Sequence, residues 1–164
     1  MQWPISTARL LFAHSTAGVA LQRGRGWAMA DALSKPDPTI WRLRPRAPQP
    51  GAVLGPLEDI PDGDAKEYIF GRGTTVFSMF VVRRGEKVYG YLNICPHYSS
   101  PLNYRAGQFM NEDKSLIRCT SHFAEFRIED GYGVKGAAER CWLDPVPVHV
   151  DHGKIVISTS GAAP

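Results

Sequence analysis

The sequence predicts a small all-β protein, built as an antiparallel sandwich or a partly open barrel. Short runs of β-branched and aromatic residues alternate with turn-forming residues, which is the pattern of antiparallel strands joined by hairpins. The chain of 164 residues contains 16 glycines and 13 prolines, a high content for a helical bundle. Its sequence shows no internal repeat, no heptad pattern and no long amphipathic helix.

The N-terminal third differs in composition from the rest. Residues 1–50 carry seven Lys or Arg and two acidic residues, whereas residues 51–164 carry twelve and fourteen. A nucleic-acid-binding protein concentrates basic charge on its folded part, so this distribution argues against that function. We assign residues 1–28 to a disordered or non-native extension and 29–54 to a Pro-rich arm or linker, which Trp41 and Leu43 could attach to the domain. Residues 55–160 form the predicted domain.

The strands follow in order along that domain. Strand 75–82 and strand 88–94 flank a turn at 84–87 and form a hairpin that ends directly at Cys95. Strand 115–118 follows a polar turn at 111–114 and ends at Cys119. The other predicted strands are 67–70, 123–128, 146–150 and 154–157, with turns at 129–131 and 151–153.

Two short motifs after these strands carry the chemistry: Cys95-Pro96-His97 and Cys119-Thr120-Ser121-His122. Two cysteines and two histidines make a ligand set for iron or zinc. A zinc finger groups its cysteines together and its histidines together, whereas here each loop supplies one of each. This arrangement lets two thiolates hold one iron and two imidazoles the other, across bridging sulfides. A structural zinc site remains the alternative.

Over about residues 55–158 the chain resembles the Rieske family, because C-x-H followed by C-x-x-H is matched in full. Gly131 and Gly136 occupy the family's glycine-rich third loop. The spacing of the two motifs is slightly longer than usual, and Ala137 stands where proline is common. The resemblance implies a Rieske-like fold with a two-loop cluster-binding subdomain. It also implies one [2Fe–2S] cluster on four ligands: Cys95, His97, Cys119 and His122.

The residues around the motifs imply a low reduction potential. In high-potential members of the family a disulfide joins the two loops, and the corresponding positions here are Ser100 and Ser121. Hydroxyl donors to the cluster sulfurs are replaced by Ala124 and Phe126, which cannot donate. Since fewer donors destabilise the reduced cluster, we expect a potential near the low end of the Rieske range.

The resemblance therefore implies a single-electron carrier that donates to an oxygenase or similar partner, rather than an enzyme by itself. The alternatives are a fixed Rieske subunit of a larger oxidoreductase, as in nitrite reductase, and a zinc-stabilised binding module. We expect redox proteins as partners, no nucleic acid, no membrane span and a cytoplasmic location. Phe123 is expected at an apolar docking rim or in the core, and Cys141 as a buried thiol outside the site.

Overall fold

The protein consists of three antiparallel sheets of three strands each in the part of the chain that the structure, a computed structural model, describes (residues 34–159). No α-helix occurs in that part, so the predicted all-β class is confirmed. Three short 3₁₀ helices lie at Ile40–Leu43, Leu57–Asp59 and Gly136–Ala138. The strands are β1 (Val53–Pro56), β2 (Ala65–Arg72), β3 (Thr75–Arg84), β4 (Lys87–Leu92), β5 (Ile117–Arg118), β6 (Glu125–Phe126), β7 (Gly133–Lys135), β8 (Val148–Asp151) and β9 (Lys154–Ile157).

The first sheet, in the order β2-β3-β4, positions the first cysteine. Strand β3 is the longest strand, and its segment from Met79 to Val82 is buried on both faces, as a continuous apolar run predicts. Its hairpin with β4 turns at Gly85 and Glu86, within the predicted turn. The strands predicted at 67–70, 75–82 and 88–94 are thus confirmed, with ends shifted by up to two residues.

The second sheet, in the order β1-β9-β8, closes the other side of the domain. The predicted hairpin of β8 and β9 is confirmed, with its turn at His152 and Gly153. Strand β1 was not predicted, because Gly55 and Pro56 give its sequence the composition of a turn. It pairs with β9 across an irregularity between Val53 and Gly55, and an edge strand tolerates such residues.

The third sheet, in the order β5-β6-β7, is formed by strands of two or three residues. The strand predicted at 123–128 is wrong at both ends, since only Glu125 and Phe126 are extended and paired. Phe123 has φ 55°, a left-handed conformation that cannot continue a strand. Strand β7 was missed because Gly133 interrupts the apolar pattern. The strands of this sheet are short because most residues in this part of the chain belong to the loops that connect them.

Two buried clusters form the interior. One contains Cys95 and Cys119 together with the stacked rings of Phe80 and Phe109, whose centroids lie 4.3 Å apart. The other contains Trp41, which is fully buried and packs edge-on against an aromatic residue of β3. Leu43 is 84% exposed, so of the two proposed attachment points only Trp41 acts as one. The assigned domain boundaries remain predictions, and residues 1–28 lie outside the described residues.

Candidate metal centre

The two predicted loops lie side by side at one end of the domain. The first loop, residues 93–102, follows β4 and contains Cys95 and His97. The second loop, residues 119–124, connects β5 to β6 and contains Cys119 and His122. Because both cysteines belong to the same buried cluster, the loops meet at their cysteine ends.

The two loops share one backbone geometry. The Cys95 N–H donates to the carbonyl five residues later, at 2.7 Å, and the Cys119 N–H does the same at 2.8 Å. The residue four positions after each cysteine, Ser99 or Phe123, has φ 55°. Each loop therefore folds back on its own cysteine N–H. This local closure fixes the direction in which the thiol projects.

The second loop is tied to the first through Thr120. Its N–H and its hydroxyl both donate to the Leu102 carbonyl, each at 2.8 Å. The Leu102 N–H in turn donates to the side-chain carbonyl of buried Asn93 at 2.8 Å. The bonds between Thr120 and Leu102 thus connect the two loops, which carry Ser100 and Ser121 and no disulfide.

Asn93 is the centre of a polar network that the sequence analysis missed. Its amide NH₂ lies 2.9 Å from a Glu67 carboxylate oxygen, 3.2 Å from the Ser78 hydroxyl and 2.7 Å from the Asn103 side-chain carbonyl. Asn103 also donates to the second Glu67 oxygen at 3.0 Å. The network anchors the first loop to β2 and β3. In the sequence, the network is indicated only by Asn93, a polar residue between apolar residues at the end of the predicted strand 88–94.

The expected ligands separate into a buried pair and an exposed pair. Cys95 and Cys119 are 2% and 1% exposed and lie in the same buried cluster. His97 and His122 are exposed, and their ring centroids lie 5.0 Å apart with the planes nearly perpendicular. The structure therefore places the two thiols beside each other and the two imidazoles beside each other.

Burial controls the protonation of the Cys95 thiol. Desolvation raises the pKa of the Cys95 thiol to about 11, and the neighbouring Cys119 contributes in the same direction. The backbone N–H groups of His97 and Tyr98 oppose that rise. Without a compensating cation the thiol stays protonated at neutral pH. A bound metal supplies that compensation, and the two N–H groups are already placed to stabilise the resulting thiolate.

The donor set fits a [2Fe–2S] cluster of the Rieske type. Such a cluster takes two thiolates on one iron and two imidazoles on the other. A mononuclear zinc site would instead require all four donors around one point. Within residues 34–159, no three His, Cys, Asp or Glu side chains converge to hold a single metal ion. The observed thiol pair and imidazole pair match the first arrangement.

Tyr98 covers the imidazole pair from the first loop. Its ring lies edge-on to His97 with centroids 4.6 Å apart, and stacks on His122 at 5.5 Å with the planes inclined by 29°. Tyr98 is 71% exposed, so its other face is open to solvent. It therefore forms part of the surface that a protein approaching the histidines would meet.

The segment at the predicted third loop, residues 131–140, contains β7 and the following 3₁₀ helix and packs against the second loop. At Gly136 (φ 82°) a Cβ would lie 3.1 Å from the Ala124 Cα and 3.2 Å from the Phe123 carbonyl oxygen. A larger residue would therefore displace the second loop. At Gly131 a Cβ would lie 2.7 Å from the Tyr91 ring. Both glycines are needed for close approach, and Ala137 is exposed beside them.

The remaining thiol and imidazoles lie apart from the two loops. Cys141 is half-buried beside the third loop, less enclosed than expected. His149 is exposed and lies 3.0 Å from the Ser158 hydroxyl, and His152 pairs with Asp151 at 2.8 Å. His14 is outside the described residues.

A family model for the Rieske [2Fe-2S] domain matches residues 52–150, more than half of the chain. The chain therefore belongs to the Rieske [2Fe-2S] domain family. The match contains both loops and most of the three sheets. No curated protein matched the chain.

Among solved structures, the chain is similar to the ferredoxin of carbazole 1,9a-dioxygenase from Nocardioides aromaticivorans IC177. The identity is 20% and the TM-score 0.51, over 68% of this chain and 100% of that one. A complex of reduced oxygenase and oxidized ferredoxin in carbazole 1,9a-dioxygenase matches at 18% identity and a TM-score of 0.53, over 71% of this chain and all of the matched one.

A chain of the reduced complex between oxygenase and ferredoxin in the same system matches at 22% identity and a TM-score of 0.56. That match covers 70% of this chain but only 30% of the other. At these identities the likeness establishes the fold, which is the predicted Rieske-like one.

Proposed function

We propose that the protein carries single electrons on one Rieske [2Fe–2S] cluster held by Cys95, Cys119, His97 and His122. Cys95 and Cys119 would bind one iron, and His97 and His122 the other. The observation that carries this proposal is the separation of the donors into a buried thiol pair and an exposed imidazole pair. When bound, such a cluster accepts and releases one electron.

The residues of the chain then have distinct roles. The buried cysteines would hold one iron, and the backbone N–H groups of His97 and Tyr98 would stabilise the Cys95 thiolate. The exposed histidines would hold the other iron on the side that a partner can approach. An electron carrier needs a small, transient interface of this kind.

Several observations favour an oxygenase as the electron acceptor. The fold extends over the full length of a dioxygenase ferredoxin, and a solved complex of that system contains both oxygenase and ferredoxin. Ala124 and Phe126 are buried beside the second loop and offer no hydroxyl, and the Thr120 hydroxyl is committed to the Leu102 carbonyl. Scarce donors to sulfur support the low potential that such an electron chain uses.

Metal and sulfide analysis of anaerobically purified protein tests the cluster. We expect about two irons and two acid-labile sulfides per chain, with a Rieske-type electron paramagnetic resonance signal after reduction. Cys119→Ser should abolish the signal, whereas the matched control Cys141→Ser should retain it. Stoichiometric zinc without sulfide would contradict the proposal and support a zinc-stabilised binding module.

A fixed subunit of a larger oxidoreductase is the second candidate. It is favoured by one observation: the same fold matches 30% of a longer chain in a solved complex, so it also serves as part of larger polypeptides. Co-purification of a large subunit at constant stoichiometry would support this candidate, and isolation as a free carrier would support the first. None of the helices in residues 34–159 is long and apolar enough to cross a membrane.

A further inference from the structure

We infer that Phe123, with the Arg118 guanidinium against its ring, is a recognition element for a carboxylate-bearing surface of the electron-transfer partner. The inference rests on the proposed function and adds the chemistry of the partner's contact. It is carried by the backbone conformation of Phe123, the surroundings of Arg118 and the charge of the adjoining groove.

The backbone at Phe123 favours glycine, yet the position holds a large aromatic residue. Its φ of 55° lies in the left-handed region, where a side chain carrying a Cβ is strained. The loop imposes this conformation, since Ser99 has the same φ at the corresponding position of the first loop. The phenyl ring does not offset the strain by burial, because Phe123 is 59% exposed. Strain that persists at an exposed aromatic residue indicates a function for the side chain.

Arg118 is placed to act together with that ring. The centre of its guanidinium lies 4.7 Å from the Phe123 ring centroid, so the cation rests on the aromatic surface. Among residues 34–159, the ion pairs do not include Arg118. Its guanidinium is therefore held against the ring without an ion pair, and Glu125, which lies opposite Arg118 on β6, is paired with Lys135 at 3.3 Å.

The groove beside this pair has the matching charge. A cleft of about 310 Å³ adjoins the second loop, and its charged lining residues are Asp64, Lys114 and Arg118. Lys114 is paired with Asp64 at 3.0 Å, so Arg118 provides the uncompensated positive charge. An acidic side chain that enters the cleft can pair with Arg118 while the exposed ring provides an apolar contact.

The position of the pair links recognition to electron transfer. Phe123 directly follows His122, and Arg118 directly precedes Cys119. A carboxylate bound at Arg118 would therefore place the partner's surface against the exposed imidazoles. Such a charge pair chiefly accelerates association and selects partners of complementary charge.

Two protein acceptors of opposite surface charge provide the test. Cytochrome b5 presents carboxylates around its haem edge, and cytochrome c presents lysines. In stopped-flow mixing, one electron passes from the dithionite-reduced protein to the ferric haem, which becomes ferrous. We expect Arg118→Gln to lower the rate constant with cytochrome b5 about fivefold at low salt and by less than about twofold near 1 M salt, because salt screens the charge. With cytochrome c, the rate should stay the same or rise.

Phe123→Gly distinguishes the effect of the aromatic side chain on electron transfer from the effect of backbone strain on stability. Glycine relieves the strain, so the thermal unfolding midpoint and the cluster content should be maintained or rise. The rate with cytochrome b5 should nevertheless fall at both salt concentrations, because the aromatic contact is lost. Lys154→Gln is the charge-matched control, since it removes one cation from the β8–β9 hairpin of another sheet. Its rates should equal those of the unmodified protein.

The inference is overturned if the Arg118→Gln and Phe123→Gly proteins both transfer electrons to cytochrome b5 with rate constants within about twofold of that of the unmodified protein. It is also overturned if Lys154→Gln loses as much as Arg118→Gln, since the effect would then come from overall charge. Film voltammetry of the unmodified protein reports on the proposed function separately. No reversible one-electron response would mean that the electron-carrier proposal has failed, whereas a normal response with unaffected variants rejects only the recognition element.

Discussion

Replacing Asn93 by alanine should loosen the first loop from the sheet that supports it. Asn93 directly follows β4 and is 3% exposed. Among the described residues, its side-chain carbonyl is the hydrogen-bond acceptor of the Leu102 N–H. The substitution leaves the Leu102 N–H, a Glu67 carboxylate oxygen and the Asn103 side-chain carbonyl without this partner. Each has lost a hydrogen bond in a partly or fully buried place.

The magnitude follows from the two groups left with no partner, the Leu102 N–H and the Asn103 side-chain carbonyl, because the Glu67 oxygen still accepts from the Ser78 hydroxyl at 2.8 Å. A buried polar group deprived of its partner costs about 1–1.5 kcal/mol, so we expect a loss of about 2–3 kcal/mol in the free energy of unfolding. This is a large share of the roughly 5–15 kcal/mol that stabilises a domain. It corresponds to a fall of roughly 8–16 °C in the unfolding midpoint. Because the Leu102 carbonyl also accepts both Thr120 bonds, the second loop should loosen as well.

Urea unfolding of the apoprotein followed by circular dichroism measures the stability loss, and decay of the visible absorption of the holoprotein measures cluster retention. Asn111→Ala is the matched control, because Asn111 caps an exposed turn through its bonds to Leu116 and Ser115. It should cost about 0.5–1 kcal/mol and leave cluster retention unchanged. An Asn93→Ala protein within about 1 kcal/mol of the unmodified one, with an equally long-lived cluster, would refute the assigned role of the network.

Three further outcomes are expected. Film voltammetry should give a reduction potential near about −150 mV rather than about +300 mV, since Ala124 and Phe126 donate no hydrogen bonds, and a clearly positive value would contradict this reasoning. Trp41→Ala should cost about 3–5 kcal/mol in chemical denaturation and Leu43→Ala less than about 0.5, because Trp41 is fully buried and Leu43 is 84% exposed; equal losses would refute the attachment of the arm through Trp41. Burial raises the pKa of Tyr68 from 10.0 to about 12, so the folded state keeps a proton that the unfolded state releases, and stability should fall as the pH rises from about 10 to 12. Tyr68→Phe removes a buried hydroxyl that lacks a partner among the described residues; it should leave stability at pH 7 equal or higher and make the alkaline fall less steep in denaturation curves recorded across pH, and an unchanged slope would contradict the assignment.

Local patterns in the sequence were sufficient for much of the fold. The run from Thr75 to Val82 is β-branched and aromatic, and it forms β3 because such residues pack well on a pleated surface. The turns at Gly85 and at Gly153 were predicted because glycine adopts the left-handed conformation without strain. The sequence failed at β1 and at Phe123. In β1, pairing with β9 outweighs the turn tendency of Gly55 and Pro56, and at Phe123 the loop closure outweighs the strand tendency of an aromatic residue.

The sequence alone determined the identity and spacing of the four expected ligands, since one cysteine and one histidine per loop are properties of adjacent residues. Tertiary structure decided that the thiols are buried as one pair and the imidazoles exposed as another, because 21 residues separate His97 from Cys119 and the two loops meet only when the sheets pack. It also decided the Asn93 network and the contact of Arg118 with Phe123. Hydrogen bonds and ring contacts of this kind depend on distances in space, and no short-range pattern records them.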